Sequence, residues 1–173
     1  KDIANIATEA GALVPFIRPK NLATDDSNEW LSWKHAVENY NKPLDCFISI
    51  PCTCPLRNYK EVDKMIEFYK KNKFDAVVGI VDSNHSPDFN MANMLETGQI
   101  KIINDNNRIN RRQDANKCYI ITTYAYITKP EYILNSNNLF DGKVGGYKVT
   151  KQESIDIDDK FDFEFARHIY IKH

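Results

Sequence analysis

DCFISIPCTCPLRNYKEVDKMIEFYKKNKFDAVVGIV, residues 45–81, decides the fold class. Asp45 to Ile50 is a short apolar run, the length of a buried strand. Pro51 to Arg57 holds two prolines and reads as a loop at the strand's C-terminal end. Asn58 can cap a helix reaching to about Asn72, with Val62, Met65, Ile66 and Tyr69 on one face. Asp75 to Val81 is again a continuous apolar run. Strand, loop, amphipathic helix and strand in this order predict a βαβ unit and a mostly parallel central sheet covered by helices on both faces. Ligands of such sheets sit beyond the strand C-termini, which directs attention to the loops beginning at Arg18, Pro51 and Asp82.

Toward the N-terminus, Lys1 to Ala10 carries apolar positions at helical spacing and ends at Gly11, and Leu13 to Ile17 predicts a buried strand closed by Arg18 and Pro19. Asp25, Asp26, Ser27 and Asn28 offer caps for a helix over Glu29 to Tyr40, with Trp30, Trp33, Ala36, Val37 and Tyr40 facing inward. Toward the C-terminus, residues 84–117 form a polar, hairpin-like excursion. Cys118 to Thr128 is a long aromatic and β-branched strand, Lys143 to Val149 and Ile155 to Ile157 are two short strands, and Asp159 caps a last helix from Lys160.

The chain has 173 residues, enough for a single domain, and 42% are apolar. Twenty-three basic against 24 acidic residues give a formal charge of -1 and no electrostatic reason to expect nucleic acid or a membrane surface. No run has the length of a transmembrane span and no signal peptide opens the sequence, so a cytoplasmic protein is expected. Cys46, Cys52, Cys54 and Cys118 lack zinc-site spacing and read as buried free thiols. None of the six glycines opens a strand-to-helix turn with Lys or Ser/Thr behind it, which excludes a P-loop or a dinucleotide-binding turn.

Asp156 and Asp158 alternate about Ile157, so an extended backbone would put both carboxylates on one side, a donor set that suits Mg²⁺; an acidic cap before the last helix explains the same residues. Arg111, Arg112 and Lys117 can clamp a carboxylate or phosphate, or form a solvated basic loop. Arg18, Lys20 and Arg57 are placed by the parallel reading at one sheet edge, Arg57 equally well as a residue that ties down its own loop. Tyr126 is by default a core aromatic, and the histidines share no ligand spacing.

Taken in order, GALVPFIRPKNLATDDS, PCTCPLR, NHSPDFNM, RRQDANKCYIITTYAYI, FDGKVGGYKV and SIDIDDKFDFEFA resemble successive blocks of the acylneuraminate (CMP-sialic acid) cytidylyltransferase family. The resemblance implies a nucleotide-diphospho-sugar transferase-like α/β fold. It also implies transfer of CMP from CTP to the anomeric hydroxyl of a sialic-acid-like nonulosonic acid, with Mg²⁺ as cofactor and pyrophosphate as leaving group. It places the metal and the catalysis on Asp156 and Asp158, the nucleotide on Arg18 and Ser27, and the acidic sugar on Arg112 and Tyr126. The excursion over 84–117 corresponds to the family's dimerisation arm, which implies a homodimer.

Three departures accompany the likeness. Pro51 stands where most members have a glutamine that touches the sugar, and Thr122-Thr123-Tyr124-Ala125-Tyr126 replaces N-G-A-I-Y, so Pro51 and Thr123 are expected to reshape the sugar pocket and change the acid accepted. The family's opening βαβ segment with its basic phosphate loop has no counterpart in the sequence, which predicts a chain shortened at its N-terminus. A CMP-Kdo-type or other sugar nucleotidyltransferase, or an inactive dimerisation or sugar-binding fragment, are the alternatives.

Overall fold

Helix α2, Glu29–Asn39, starts where Asn28 Oδ1 accepts the backbone N–H of Trp30 at 2.9 Å, and its Trp30 and Trp33 are buried, as the spacing predicts. In the computed structural model, which describes residues 2–105 and 109–172, it follows helix α1, Asp2–Glu9. Lys1 of the expected first helix and positions 106–108 of the excursion lie outside the described residues. The remaining elements are β1 (Phe47–Ser49), α3 (Tyr59–Lys71), β2 (Ala76–Asp82), β3 (Ala92–Met94), β4 (Ile100–Ile102), β5 (Tyr119–Thr128), α4 (Pro130–Asn135), β6 (Val144–Lys148) and α5 (Lys160–Lys172). Asn58 caps α3 as expected, its Oδ1 accepting from Lys60 N, and β3 and β4 form the antiparallel hairpin of the excursion.

The mostly parallel sheet expected from the sequence is overturned. The strand order is β1-β5-β2-β6, and β5 runs against both neighbours. Phe47 pairs with Thr128 and Ser49 with Tyr126 on one side. On the other, Ser83 N donates to Cys118 O and Thr128 Oγ1 to Asp75 O. The β2/β6 pair alone runs in one sense, Asp75 N donating to Lys143 O and Val149 N to Ile80 O. The sheet is therefore mixed, with mostly antiparallel pairings. The physical reason lies in the connection: a parallel neighbour requires a crossover, usually helical, whereas the segment between β2 and β5 is a hairpin-bearing excursion whose ends meet at Ser83 and Cys118.

Two expected strands do not form. Leu13 to Ile17 adopts no strand, and no strand among the described residues pairs with it; Leu13 is 84% and Ile17 59% exposed. Ile155 to Ile157 is irregular, with Ile157 N donating to Thr53 O at 2.8 Å. Helix α4, with Pro130 in its first turn, is an element the sequence reading did not contain.

The described residues fall into two units. The first takes in Lys1–Ile50, Asp63–Val77 and Ala125–Gly145. Its core is Trp30, Trp33 and Ile133, with Val37, Phe47, Tyr126, Tyr132 and Leu139 against them. Trp33 lies 5.2 Å from Trp30, 5.4 Å from Tyr126 and 5.5 Å from Phe47, ring centre to ring centre, within the range where aromatic pairs add to simple area burial. Both indole N–H groups are satisfied, Trp30 by Ser136 O and Trp33 by Glu29 Oε1. Gly145 packs under Phe74, where a Cβ would come within 2.5 Å of the ring.

The second unit takes in Pro51–Val62, Val78–Tyr124 and Gly146–His173. Tyr124 is fully buried, and its hydroxyl accepts from Asn58 N and donates to Asn58 O, both at 3.1 Å, which pins the start of α3. Gly79 allows this: a Cβ there would stand 2.8 Å from Tyr124 Cβ.

Candidate functional site

The loop Pro51 to Arg57 holds two prolines, Pro51 and Pro55, and has no strand ladder to hold it, so side chains must. Arg57 does so, donating from Nε to Tyr124 O at 2.8 Å and from Nη2 to Pro51 O and Thr123 O. Cys54, completely buried, donates from Sγ to Glu153 O at 3.3 Å. Burial pushes the Cys54 thiol pKa up, against the lowering influence of the Arg57 charge. All four cysteines are free; Cys54 is buried as expected, whereas Cys52 is exposed.

This loop carries the acidic segment. Thr53 O accepts the N–H of Ile157, the residue between Asp156 and Asp158. The expected geometry, both carboxylates on one side of a strand, gives way to a division of roles. Asp156 Oδ1 is buried without a hydrogen-bond partner, and Asp158 is exposed. The cap of α5 belongs to Asp159 and Asp162: Asp159 Oδ1 accepts from Asp162 N at 2.9 Å, and Asp162 Oδ2 accepts from the backbone N–H groups of Asp158 and Asp159 at 3.2 Å. Asp158 gives this cap only its backbone N–H. Thr123 Oγ1 is a second buried oxygen, with the Cys54 thiol as its hydrogen-bonding neighbour.

An unpaired buried carboxylate oxygen is costly unless something is bound to it. Carboxylate oxygens are the donors Mg²⁺ takes, and that ion completes its octahedron from water and phosphate oxygens rather than from an all-protein cage. The unpaired Asp156 oxygen is thus a donor of the kind Mg²⁺ takes, with Asp158 two residues on and open to solvent. Among the described residues there is no group of three or more His, Cys, Asp and Glu side chains able to hold a metal.

Arg112 lines a cavity of about 220 Å³ with His85, Asn90, Asn116 and Lys117. Its Nη2 donates to Asn84 O at 2.8 Å. Arg111 is engaged elsewhere, in a two-pronged ion pair with Asp114, so Arg112 and Lys117 supply the positive charge at the cavity. Asp82 also lines it, and the Lys148 ammonium 2.7 Å away holds its carboxyl below the usual carboxylate range. His85 was not singled out by the sequence; its place beside Asn90, which meets His85 Nδ1 at 3.2 Å, follows from the tight Ser83 to Asn90 turn.

Pro51, Thr123, Asp156, Asp158 and Arg112 thus belong to the second unit, where the Pro51 to Arg57 loop ties the first four together. Arg18, Ser27 and Tyr126 belong to the first. Arg18 is exposed and reaches Ser32 Oγ at 3.5 Å. The Ser27 hydroxyl lies within bonding distance of Thr24 O and Leu22 O, inside its own turn. Tyr126 is half-buried against Trp33.

No model of a known protein family matches the chain. It is 26% identical to the post-translational flagellin modification protein B of Campylobacter coli, over 98% of this chain and 73% of that protein. It is also 26% identical to the CMP-N,N'-diacetyllegionaminic acid synthase of Campylobacter jejuni, over 97% of this chain and 72% of that enzyme. Its fold is shared with the 4-diphosphocytidyl-2C-methyl-D-erythritol synthase of Anaerococcus prevotii, at a TM-score of 0.60 over 100% of this chain and 78% of that one, with 14% identity. Among the described residues no helix is long and apolar enough to cross a membrane.

Proposed function

We propose, on the premise that this chain is homologous to several acylneuraminate and pseudaminate cytidylyltransferases, that it transfers CMP from CTP to the anomeric hydroxyl of a sialic-acid-like nonulosonic acid. The observation that carries the reading is the orphaned Asp156 oxygen beside Asp158, on a segment held by a well-anchored loop. In the reaction the anomeric oxygen bonds to the α-phosphorus while the bond to the pyrophosphate leaving group breaks. Asp156 and Asp158 would hold Mg²⁺, which supplies charge neutralisation at the α-phosphate and the leaving group. Such transfer depends mainly on positioning and electrostatics.

The remaining residues take the roles implied by their blocks. Arg112, with Lys117 in the same cavity, binds the carboxylate of the sugar, since a guanidinium fork matches a carboxylate. Arg18 and the Ser27 turn contact the nucleotide. Tyr126, Pro51 and Thr123 line the sugar site, and Pro51 and Thr123 shift its preference toward acids of the legionaminic or pseudaminic kind. The similarity to the CMP-N,N'-diacetyllegionaminic acid synthase of C. jejuni supports that shift. The excursion over 84–117 packs against a second copy of the chain. Its hairpin shows Met94 77% and Ile100 66% exposed, apolar surface that a partner would cover.

Pyrophosphate release with Mg²⁺, CTP and a panel of nonulosonic acids tests the reading. Release with at least one nine-carbon acid is expected. Silence with every acid, beside an active relative assayed in parallel, overturns it; release with an eight-carbon acid alone moves the substrate to the Kdo type.

A further inference from the structure

We propose that Arg57 is a positioning residue for the Asp156 and Asp158 carboxylates, an inference that rests on the metal reading given above. The residue's guanidinium bonds run within the loop and to β5: to the backbone carbonyls of Tyr124, Pro51 and Thr123, and to the Cys54 thiol. What it does is join two things that the backbone leaves separate. Pro51 O is the first carbonyl of the loop, and Thr123 O and Tyr124 O lie on β5, so one planar cation fastens the loop to the sheet at several points. A planar fork with fixed donor directions suits this task, since it defines orientation as well as distance.

The fastened loop then sets the acidic segment. Thr53 O receives Ile157 N–H at 2.8 Å, and Cys54 Sγ reaches Glu153 O at 3.3 Å. These two bonds fix the backbone on both sides of Asp156, three residues before it and one after. Ile157 is the pivot between the two carboxylates, so the Thr53 bond determines that Asp156 turns inward, where its Oδ1 is left unpaired, and that Asp158 faces solvent. The path from Arg57 to the carboxylates contains two links, loop and amide, and each is a discrete hydrogen bond that can be observed.

The test uses the whole chain as wild type, Arg57→Met, Arg57→Lys and Asp158→Asn. Two quantities are read: hydrogen exchange at the Ile157 amide, with the Ser83 amide, bonded to Cys118 O, as internal reference, and the affinity for Mn²⁺ alone, from the loss of the free-ion paramagnetic signal. In Arg57→Met the Ile157 amide is expected to exchange at least about tenfold faster while Ser83 keeps its protection, and Mn²⁺ affinity to fall about tenfold, the low end for loss of a residue that orients metal ligands. Arg57→Lys, with one nitrogen able to meet fewer carbonyls, should lie between the two. If Arg57→Met fails to fold, the lysine variant decides, and values equal to wild type overturn the proposal. It is also overturned by unchanged Ile157 protection, by unchanged Mn²⁺ affinity, or by equal loss of protection at Ile157 and Ser83, which is general destabilisation. Wild type binding Mn²⁺ no better than Asp158→Asn overturns the metal reading itself and the positioning role with it, whatever the exchange data show.

Discussion

The aromatic cluster around Trp33 and the acidic segment around Asp156 both take polar atoms out of water, and they treat them in opposite ways. In the cluster each indole N–H has an acceptor, Ser136 O for Trp30 and Glu29 Oε1 for Trp33, and the rings pack at 5.2 to 5.5 Å. In the segment the backbone is tied, yet Asp156 Oδ1 is buried with no hydrogen-bond partner. Satisfied donors inside apolar surroundings stabilise a fold; unsatisfied acceptors oppose it and are tolerable where a ligand completes them. The difference separates a place that holds the molecule together from one arranged to hold something else.

Trp33→Ala attacks the first kind of place and should have the largest effect, a loss of about 3–5 kcal/mol in chemical denaturation, as for other large aromatic truncations in cores. A loss below about 1 kcal/mol would deny the cluster its structural role. Asp156→Asn attacks the second kind. It should lower turnover at least about a hundredfold, about 2.7 kcal/mol of activation free energy, while leaving the denaturation midpoint unchanged or raised. A fall in stability matching that of a core mutation would place Asp156 with the tryptophans. Tyr124→Phe removes one hydroxyl with two partners on Asn58 and should cost about 1 kcal/mol; a turnover defect with no stability loss would give Tyr124 a role in the reaction instead.

The smallest effect concerns acid. The Lys143 N–H and then the Lys129 ammonium hold the Asp75 carboxyl below its ordinary range. Its folded pKa is therefore the lower one, so its stabilising contribution is complete above the unfolded value, about 4, and disappears as pH falls through the folded value. Asp75→Asn should show a shallower loss of tryptophan fluorescence below that point than wild type, and superimposable acid curves would remove Asp75 from the account.

Helix α2 was legible because its signals are local: a cap at Asn28 and two tryptophans three residues apart. The direction of β5 was not, because a run of aromatic and β-branched residues reads the same whichever way its neighbours point. Leu13 to Ile17 has the residues of a strand, but ladder formation depends on a partner that composition does not reveal. At the site, the loop anchor was read in Arg57 as one of two options, and the carboxylate pair was read in Asp156 and Asp158. Which acidic residue caps α5 and which oxygen stays unpaired could not be read, since Asp156, Asp158, Asp159 and Asp162 are alike as letters and differ only in where Thr53 and the helix end place them.

The bond from Ser83 N to Cys118 O has a consequence for how this protein can change over time. It brings the two ends of the excursion together at its base, so the segment between them is a module with neighbouring entry and exit points. Lengthening such a closed segment costs only about 0.6 kcal/mol per doubling. Residues can be added, removed or exchanged there without altering β2 or β5. The same base holds Arg112 and His85 beside one cavity. A lineage can thus vary the far tip, and the surface it offers to other molecules, while the charged cavity at the root is inherited intact.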